Sequence, residues 1–552
     1  MKKNMKKLQE RIQSLRKKYQ KPISRKAVKQ SSGEEIAPVG PIIAPRRSDA
    51  QGVLESYKIE IDKASVQIKI VKEVAGFFYL LSLPEVQAPT LALLDEIRKE
   101  MLTELSFSAG ETVDKEGVSL LKGRFVESAR KLIREKLPHV SSTTEEFLIG
   151  HLLQEMLGLG KVEFLINDPN LEEIVINSIR EPIRVYHKKH GWLLTNLTLH
   201  SEDEINNYSN IIARRVGRQI TVLTPLLDAH LVTGDRANAV LYPIATKGNT
   251  ITIRKFARDP WTIVDLINNK TCNLDVAALI WLAIEYEMNV IFSGGTGSGK
   301  TSFLNACMPF IPPNHQIISI EDTSELVLPE FLYWRPMVTR TPNAEGKGEV
   351  SMLDLLVNSL RMRPDRIVLG EMRRQKEAEV LFEAMHTGHS VYSTVHADTA
   401  AETIQRLTNP PISIPSNLLK AVNLNIVMFR DRRRNVRRVY QVAEFVLGKD
   451  EITANILHRW TPDKDEIVEH AESVRFFEDL SRHTGMDERE VAKELQKKKN
   501  IMGWLIRNNI RSLHEIGKVF SLYYTNEKSL LEAINKNDPK MILGQGYKQQ
   551  AK

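Results

Sequence analysis

Val290-Ile-Phe-Ser-Gly-Gly-Thr-Gly-Ser-Gly-Lys-Thr301 reads as a buried strand that runs into a glycine-rich turn. Gly294 and Gly299 bracket four residues and Lys300-Thr301 follow, which is the spacing of a phosphate-binding loop. Its four glycines let backbone N–H groups converge on phosphate oxygens. In this pattern Lys300 reaches the β and γ phosphates and Thr301 holds Mg²⁺. An apolar strand precedes the turn and a helix follows it, the context that the motif requires. Gly294, Gly295, Thr296, Gly297, Ser298, Gly299, Lys300, Thr301 and Ser302 are therefore the expected nucleotide-binding residues, with ATP and Mg²⁺ as the expected ligands.

Downstream, strand and helix patterns alternate. Strands are expected at Gln316 to Ile320, Arg366 to Leu369 and Ser390 to Thr394, and helices at Thr301 to Met308, Ser351 to Arg361, Lys376 to Thr387 and Thr399 to Leu407. That order implies an α/β core, a parallel sheet with helices on both faces, whose ligand sites lie at the carboxyl ends of the strands. A hairpin over 423–446 turns at Arg430-Asp-Arg-Arg-Arg434, which reads as a charge-guarded edge strand or as a basic tip for nucleic acid. Residues 450–552 read as mostly helical, a packing or partner-contact appendage.

Three features fall at strand ends near the loop. Glu321-Asp322 follows Ile317-Ile-Ser-Ile320, and a carboxylate there polarises the attacking water or holds Mg²⁺ through its water shell. Glu371 follows Ile367-Val-Leu-Gly370, where Gly370 occupies the place of the usual Mg²⁺-binding aspartate, so any acidic role passes to Glu371. Either acid could instead cap the next helix. His386, His389 and His396 have a loosely metal-like spacing, but no cysteine or carboxylate completes a site. His396, just past a strand, reads as a γ-phosphate sensor or as a structural histidine.

The net charge of +8 belongs to one segment. Residues 1–30 hold twelve Lys or Arg against the single acid Glu10, which leaves −3 for the other 522 residues and disfavours nucleic acid as partner. That tail reads as disordered, or as an arm for anionic lipid or an acidic partner. No apolar run reaches the roughly 18 residues of a membrane span and the N-terminus lacks a signal-peptide core, so a cytoplasmic location is expected. Cys272 and Cys307 suggest neither a disulfide framework nor a zinc site. Ahead of the core come a basic tail (1–50), a small α/β module (51–137), a second module (138–258) rich in arginines including Arg214, Arg215, Arg218, Arg236, Arg254 and Arg258, and a hinge (259–262) at Asp259-Pro260. These arginines read as surface residues, of which one or two could be arginine fingers if the module faces a nucleotide.

Taken together, GGTGSGKT (294–301), IEDTSEL (320–326), LRMRPDRIVLGEMR (360–373) and MHTGHSVYSTVHA (385–397) resemble the secretion-superfamily ATPases that power type II and type IV secretion, type IV pili and the archaellum. GLGKVEFLINDPNLEEIVIN (158–177) and GDRANAV (234–240) support the likeness, and LTNPPISIP (407–415) looks most like the archaeal branch. The resemblance implies a PAS-like N-terminal domain over 138–258, a RecA-like ATPase domain over 263–447 and a helical C-terminal region over 448–552. It implies a hexamer at the inner face of the cell membrane, driving a pilus, archaellum or secretion machine through a polytopic membrane platform. Glu321 and Glu371 fall on the family's catalytic glutamates and His396 on the final histidine of its His box. Arg236, with Arg254 and Arg258 as weaker matches, falls on arginines directed at a nucleotide between subunits, and the Walker B element of the family likewise lacks the aspartate. A DNA translocase or helicase with the same RecA-like core is the alternative reading.

Overall fold

The computed structural model describes residues 52–544, apart from 62–63, 75, 83–87, 105–114, 157, 232–233, 257–259, 343–345, 435 and 449–450. The expected basic tail, Arg258 and the first residue of the expected hinge lie outside the described residues.

Two nine-stranded sheets carry the chain. The first uses Val53–Ile61 (β1), Ala64–Glu73 (β2), Gly76–Ser82 (β3), Leu171–Ile176 (β4), Arg184–His187 (β5), Gly191–Thr195 (β6), Leu226–His230 (β7), Arg236–Val240 (β8) and Thr250–Arg254 (β9). Their order is β1-β2-β3-β6-β5-β4-β9-β8-β7, and every pairing is antiparallel except the short β3–β6 contact. This sheet crosses the 137/138 boundary drawn from the sequence. Ile68, Ile70, Tyr79 and Leu81 share one apolar core with Ile174, Val185 and Ile253, so the strands of the small module could not be removed without exposing the second. Between them, helices Ala88–Glu104, Lys115–Lys136 and Ser142–Met156 bury Leu94, Phe125, Leu148 and Leu152 against one another.

The second sheet begins after Thr262, whose hydroxyl and Asp265 form a capping box that starts helix Ile263–Asn268. Its strands are Val290–Gly294 (β10), Gln316–Glu321 (β11), Tyr333–Val338 (β12), Arg366–Leu369 (β13), Ser390–Val395 (β14), Leu424–Asp431 (β15), Val436–Leu447 (β16), Ile452–Thr461 (β17) and Glu466–Glu469 (β18), in the order β12-β11-β13-β14-β10-β15-β16-β17-β18. Pairings from β12 to β15 are parallel and those from β15 to β18 antiparallel. The parallel part is the α/β core expected from the sequence, and β10 lies inside it, buried along its whole length. Alternation sets the layers: Val290 and Phe292 pack to one face, Ile291 to the other. Helix Leu274–Glu285 and the C-terminal helices cover the first face, where Trp281, Phe310, Phe520 and Tyr523 meet ring to ring.

Two local expectations change. Residues 450–552 are not helical from the start, because β17 and β18 extend the sheet before helix Phe476–Thr484 begins. Hence β15 and β16 are interior strands, and the arginine-rich turn does not guard an edge. No helix among the described residues is long and apolar enough to cross a membrane.

Candidate active site

β10 delivers the glycine-rich turn to the carboxyl edge of the sheet, and helix Lys300–Cys307 leaves from it. The turn needs glycine for steric reasons. Gly294, Gly297 and Gly299 adopt φ of 147°, 71° and 94°, and a Cβ on Gly294 would stand 2.4 Å from the Met428 carbonyl oxygen. Gly295, Thr296 and Ser298 complete the turn, with Ser298 Oγ donating to Gly295 O at 2.8 Å. Thr301 is half-buried and Ser302 exposed in the first turn of the helix, whose N-terminal N–H groups favour an anion. Lys300 Nζ donates to Gly294 O (2.8 Å) and Gly295 O (3.1 Å), so the ammonium is held over the turn by its own carbonyls.

The third neighbour of Lys300 is His396 Nδ1, at 3.1 Å. Nε2 of the same ring is 3.2 Å from Thr296 Oγ1, and Nδ1 is also 3.3 Å from Glu371 Oε1. Burial and the Lys300 charge hold the His396 pKa below the usual imidazole value. The neutral ring therefore accepts from Lys300 at Nδ1 and carries its proton on Nε2, directed at Thr296. Burial likewise lowers the pKa of Lys300. Glu371 is satisfied instead by Arg373, whose Nε (2.9 Å) and Nη2 (2.6 Å) both reach its Oε2, while Nη1 donates to Asp322 Oδ2 at 2.7 Å. Ends of β11, β13 and β14 thus meet the loop through one chain: Asp322, Arg373, Glu371, His396, Lys300.

Glu321 has a different environment. It is 2% exposed, its Oε1 accepts from the backbone N–H of Glu325 (2.9 Å) and Leu326 (3.2 Å), and its Oε2 is buried with no partner. Burial raises its pKa from 4.5 to about 7. Gly370 lies against it: a Cβ there would meet Glu321 Cγ at 3.4 Å. An aspartate at 370 would put a second carboxylate beside Glu321, which gives the missing Walker B aspartate a local physical reason.

Arg236 and Arg254 of the second module stay outside this chain of contacts. Arg236 is bound bidentately by Asp228, at 2.9 and 2.6 Å. Arg254, its cross-strand partner, is 67% exposed with Glu325 at 3.9 Å. His386 ends helix Gln375–His386, and His389 Nδ1 sits 3.3 Å from Ala384 O, so both lie at the opposite end of β14 from His396.

Residues 232–456 match the family model described as type II/IV secretion system protein. Protein MJ0900 of Methanocaldococcus jannaschii is 34% identical over 447 residues, covering 78% of each chain. The type IV secretion system protein PtlH of Bordetella pertussis is 32% identical over 248 residues, 40% of this chain and 72% of that one. VirB11 of Bartonella henselae, also a type IV secretion system protein, is 30% identical over 287 residues, 45% of this chain and 79% of that one.

The chain belongs to the type II/IV secretion ATPase superfamily.

For a secretion ATPase the site contains three side chains that were not among the expected site residues. Arg373 joins the two acidic strand ends. Arg437 Nε donates to Gly297 O at 3.0 Å, and Arg430, opposite it across the β15–β16 ladder, packs on the same glycine. A pair of arginines flanking a hairpin turn was the available signal, but nothing local tied it to a loop some 140 residues earlier. Nucleotide and Mg²⁺ fit the residues present. The turn is an open cradle of backbone donors, Thr301 supplies a hydroxyl, and the unpartnered Glu321 Oε2 supplies a free acceptor. Among the described residues no group of three or more His, Cys, Asp or Glu is placed to hold a metal ion.

Proposed function

We propose that this secretion ATPase binds ATP with Mg²⁺ at Gly294–Ser302 and hydrolyses it as a hexameric motor at the inner face of the cell membrane, driving a pilus-like filament or secretion machine through a membrane platform protein. The observation that carries the reading is that His396 Nδ1 lies 3.1 Å from Lys300 Nζ and 3.3 Å from Glu371 Oε1, which gathers three strand ends at the loop. Thr301, with Glu321 and Glu371 through water, would hold Mg²⁺, which would supply charge neutralisation for the transferring phosphoryl group.

Each side chain of the site then has one task. Lys300 exchanges its contacts with the Gly294 and Gly295 carbonyls for phosphate oxygens, a stronger charge-assisted bond. His396 places an N–H donor beside Thr296, where the γ-phosphate end of the loop lies, and reports its loss. Glu321, with a pKa of about 7 and a free oxygen, is suited to take the proton of an attacking water near neutral pH. Glu371 orients that water. Arg236 and Arg254, exposed on adjacent strands, are available to the nucleotide of a neighbouring copy. Phosphate release by the full chain, with and without EDTA, tests the reaction; equal rates with and without the chelator would reject the Mg²⁺-dependent hydrolysis. Sizing by light scattering tests the ring, and a mass of one or two chains with ATP bound would reject it.

A further inference from the structure

Arg430 stands between the phosphate loop and the first sheet. A Cβ on Gly297, at the apex of the loop, would meet Arg430 Nη1 at 2.6 Å. The other arm of the same guanidinium, Nη2, donates to Tyr186 Oη on β5 at 2.7 Å. Its Nε is buried and has no partner. Across the ladder Arg437 secures the Gly297 carbonyl, so two cations of the hairpin flank the loop apex. Tyr186 in turn meets Trp192 on β6 edge to face, with ring centroids 5.3 Å apart at 82°. A continuous run of contacts therefore joins Gly297 to the surface of the N-terminal sheet: Gly297, Arg430, Tyr186, Trp192.

We propose that Arg430 is a nucleotide-sensing residue acting within its own chain, latched to Tyr186 when the loop is empty and drawn to phosphate when it is filled. The inference rests on the nucleotide reading of the loop given above. A phenol oxygen is a neutral acceptor, and a phosphate oxygen forms a shorter, charge-assisted bond with guanidinium. One planar fork beside Gly297 cannot keep both at best geometry, and its spare Nε–H is the donor that Tyr186 leaves unused. Filling the loop then frees Tyr186, and the change is delivered to β5 and β6 of the N-terminal sheet. Because coupling is reciprocal, removing the latch strengthens nucleotide binding. A merely structural Arg430–Tyr186 bond predicts the opposite sign.

The experiment uses the full chain, a non-hydrolysable ATP analogue with Mg²⁺, calorimetry for affinity and tryptophan emission for the response, the Trp192→Phe protein serving to isolate the Trp192 signal. Wild type is expected to bind the analogue with a change in Trp192 emission. Arg430→Gln is expected to bind about ten-fold more weakly with the emission change lost. Tyr186→Phe, which keeps the ring on Trp192, is expected to bind about three-fold more tightly or better, with less than half the emission change. Arg430→Lys, the substitute should Arg430→Gln fail to fold, keeps the charge but not the fork and is expected to lose the emission change. Bound analogue with a silent Trp192 in wild type, or weaker binding by Tyr186→Phe, overturns the latch while leaving the loop assignment standing. Absence of any calorimetric binding by wild type overturns the loop assignment and the latch with it.

Discussion

Replacing Glu321 by Gln should make the protein more stable and the enzyme nearly inactive. The carboxyl is 2% exposed, and its Oε2 has no partner, so ionisation is opposed by burial. Burial raises its folded pKa to about 7 from an ordinary 4.5. Between those values the folded state holds a proton that the unfolded state has released, so stability falls as pH rises through the window. Above it the folded protein is weaker by about 3 kcal/mol than if the group titrated normally. Gln removes this term and keeps a carbonyl oxygen for the Glu325 and Leu326 N–H groups. Melting followed by calorimetry should place Glu321→Gln about 3–5 °C above wild type at pH 8.5, from a stability difference of about 3 kcal/mol. The gap should shrink to about 2 °C at pH 5, where wild-type Glu321 is protonated. Phosphate release should fall by at least about 100-fold if this carboxyl is the base. A Tm difference that is the same at both pH values, or a variant less stable than wild type at pH 8.5, would refute the assigned environment; full activity would refute the role.

Gly370→Asp should push the Glu321 carboxyl further up by adding a second carboxylate beside it, moving the acid limb of the pH–rate profile to higher pH; an unmoved limb contradicts the packing argument. Arg373→Ala leaves Glu371 and Asp322 without their shared cation, and kcat should drop about 10- to 100-fold with KM for ATP changed less than about three-fold. Lys498 is fully buried, 2.7 Å from Glu285 and 3.3 Å from Glu494, where it joins the C-terminal helices to helix Leu274–Glu285. Lys498→Ala should cost about 3–5 kcal/mol in urea unfolding, because buried acids lose their partner.

Local motifs were legible where a single stretch carries both geometry and chemistry. The phosphate loop and its strand and helix fall where their residues imply, since glycine spacing and an apolar run of three are properties of adjacent residues. Helix Leu274–Glu285 was not marked because it is buried all round and so carries no polar stripe. β12 was not marked either: its exposed residues and Pro336 look like loop, and its pairing with β11 supplies the strand. β17 and β18 depend on β16 for their partner in the same way. In the site, the strand-end acids and His396 were legible as candidates, and the structure joins Glu371 and His396 to Lys300 but keeps Glu321 apart with its own protonation behaviour. Arg373, Arg430 and Arg437 gain meaning only from contacts with Asp322, Tyr186 and Gly297, which lie 51, 244 and 140 positions away.

The central claim is that the Lys300–His396–Glu371 cluster, served by the phosphate loop, hydrolyses ATP. It is tested most directly by single-turnover phosphate release from Glu371→Gln protein loaded with radiolabelled ATP and Mg²⁺. The account predicts that this protein retains bound ATP and releases phosphate at least about 100-fold more slowly than wild type. Release at the wild-type rate would contradict it.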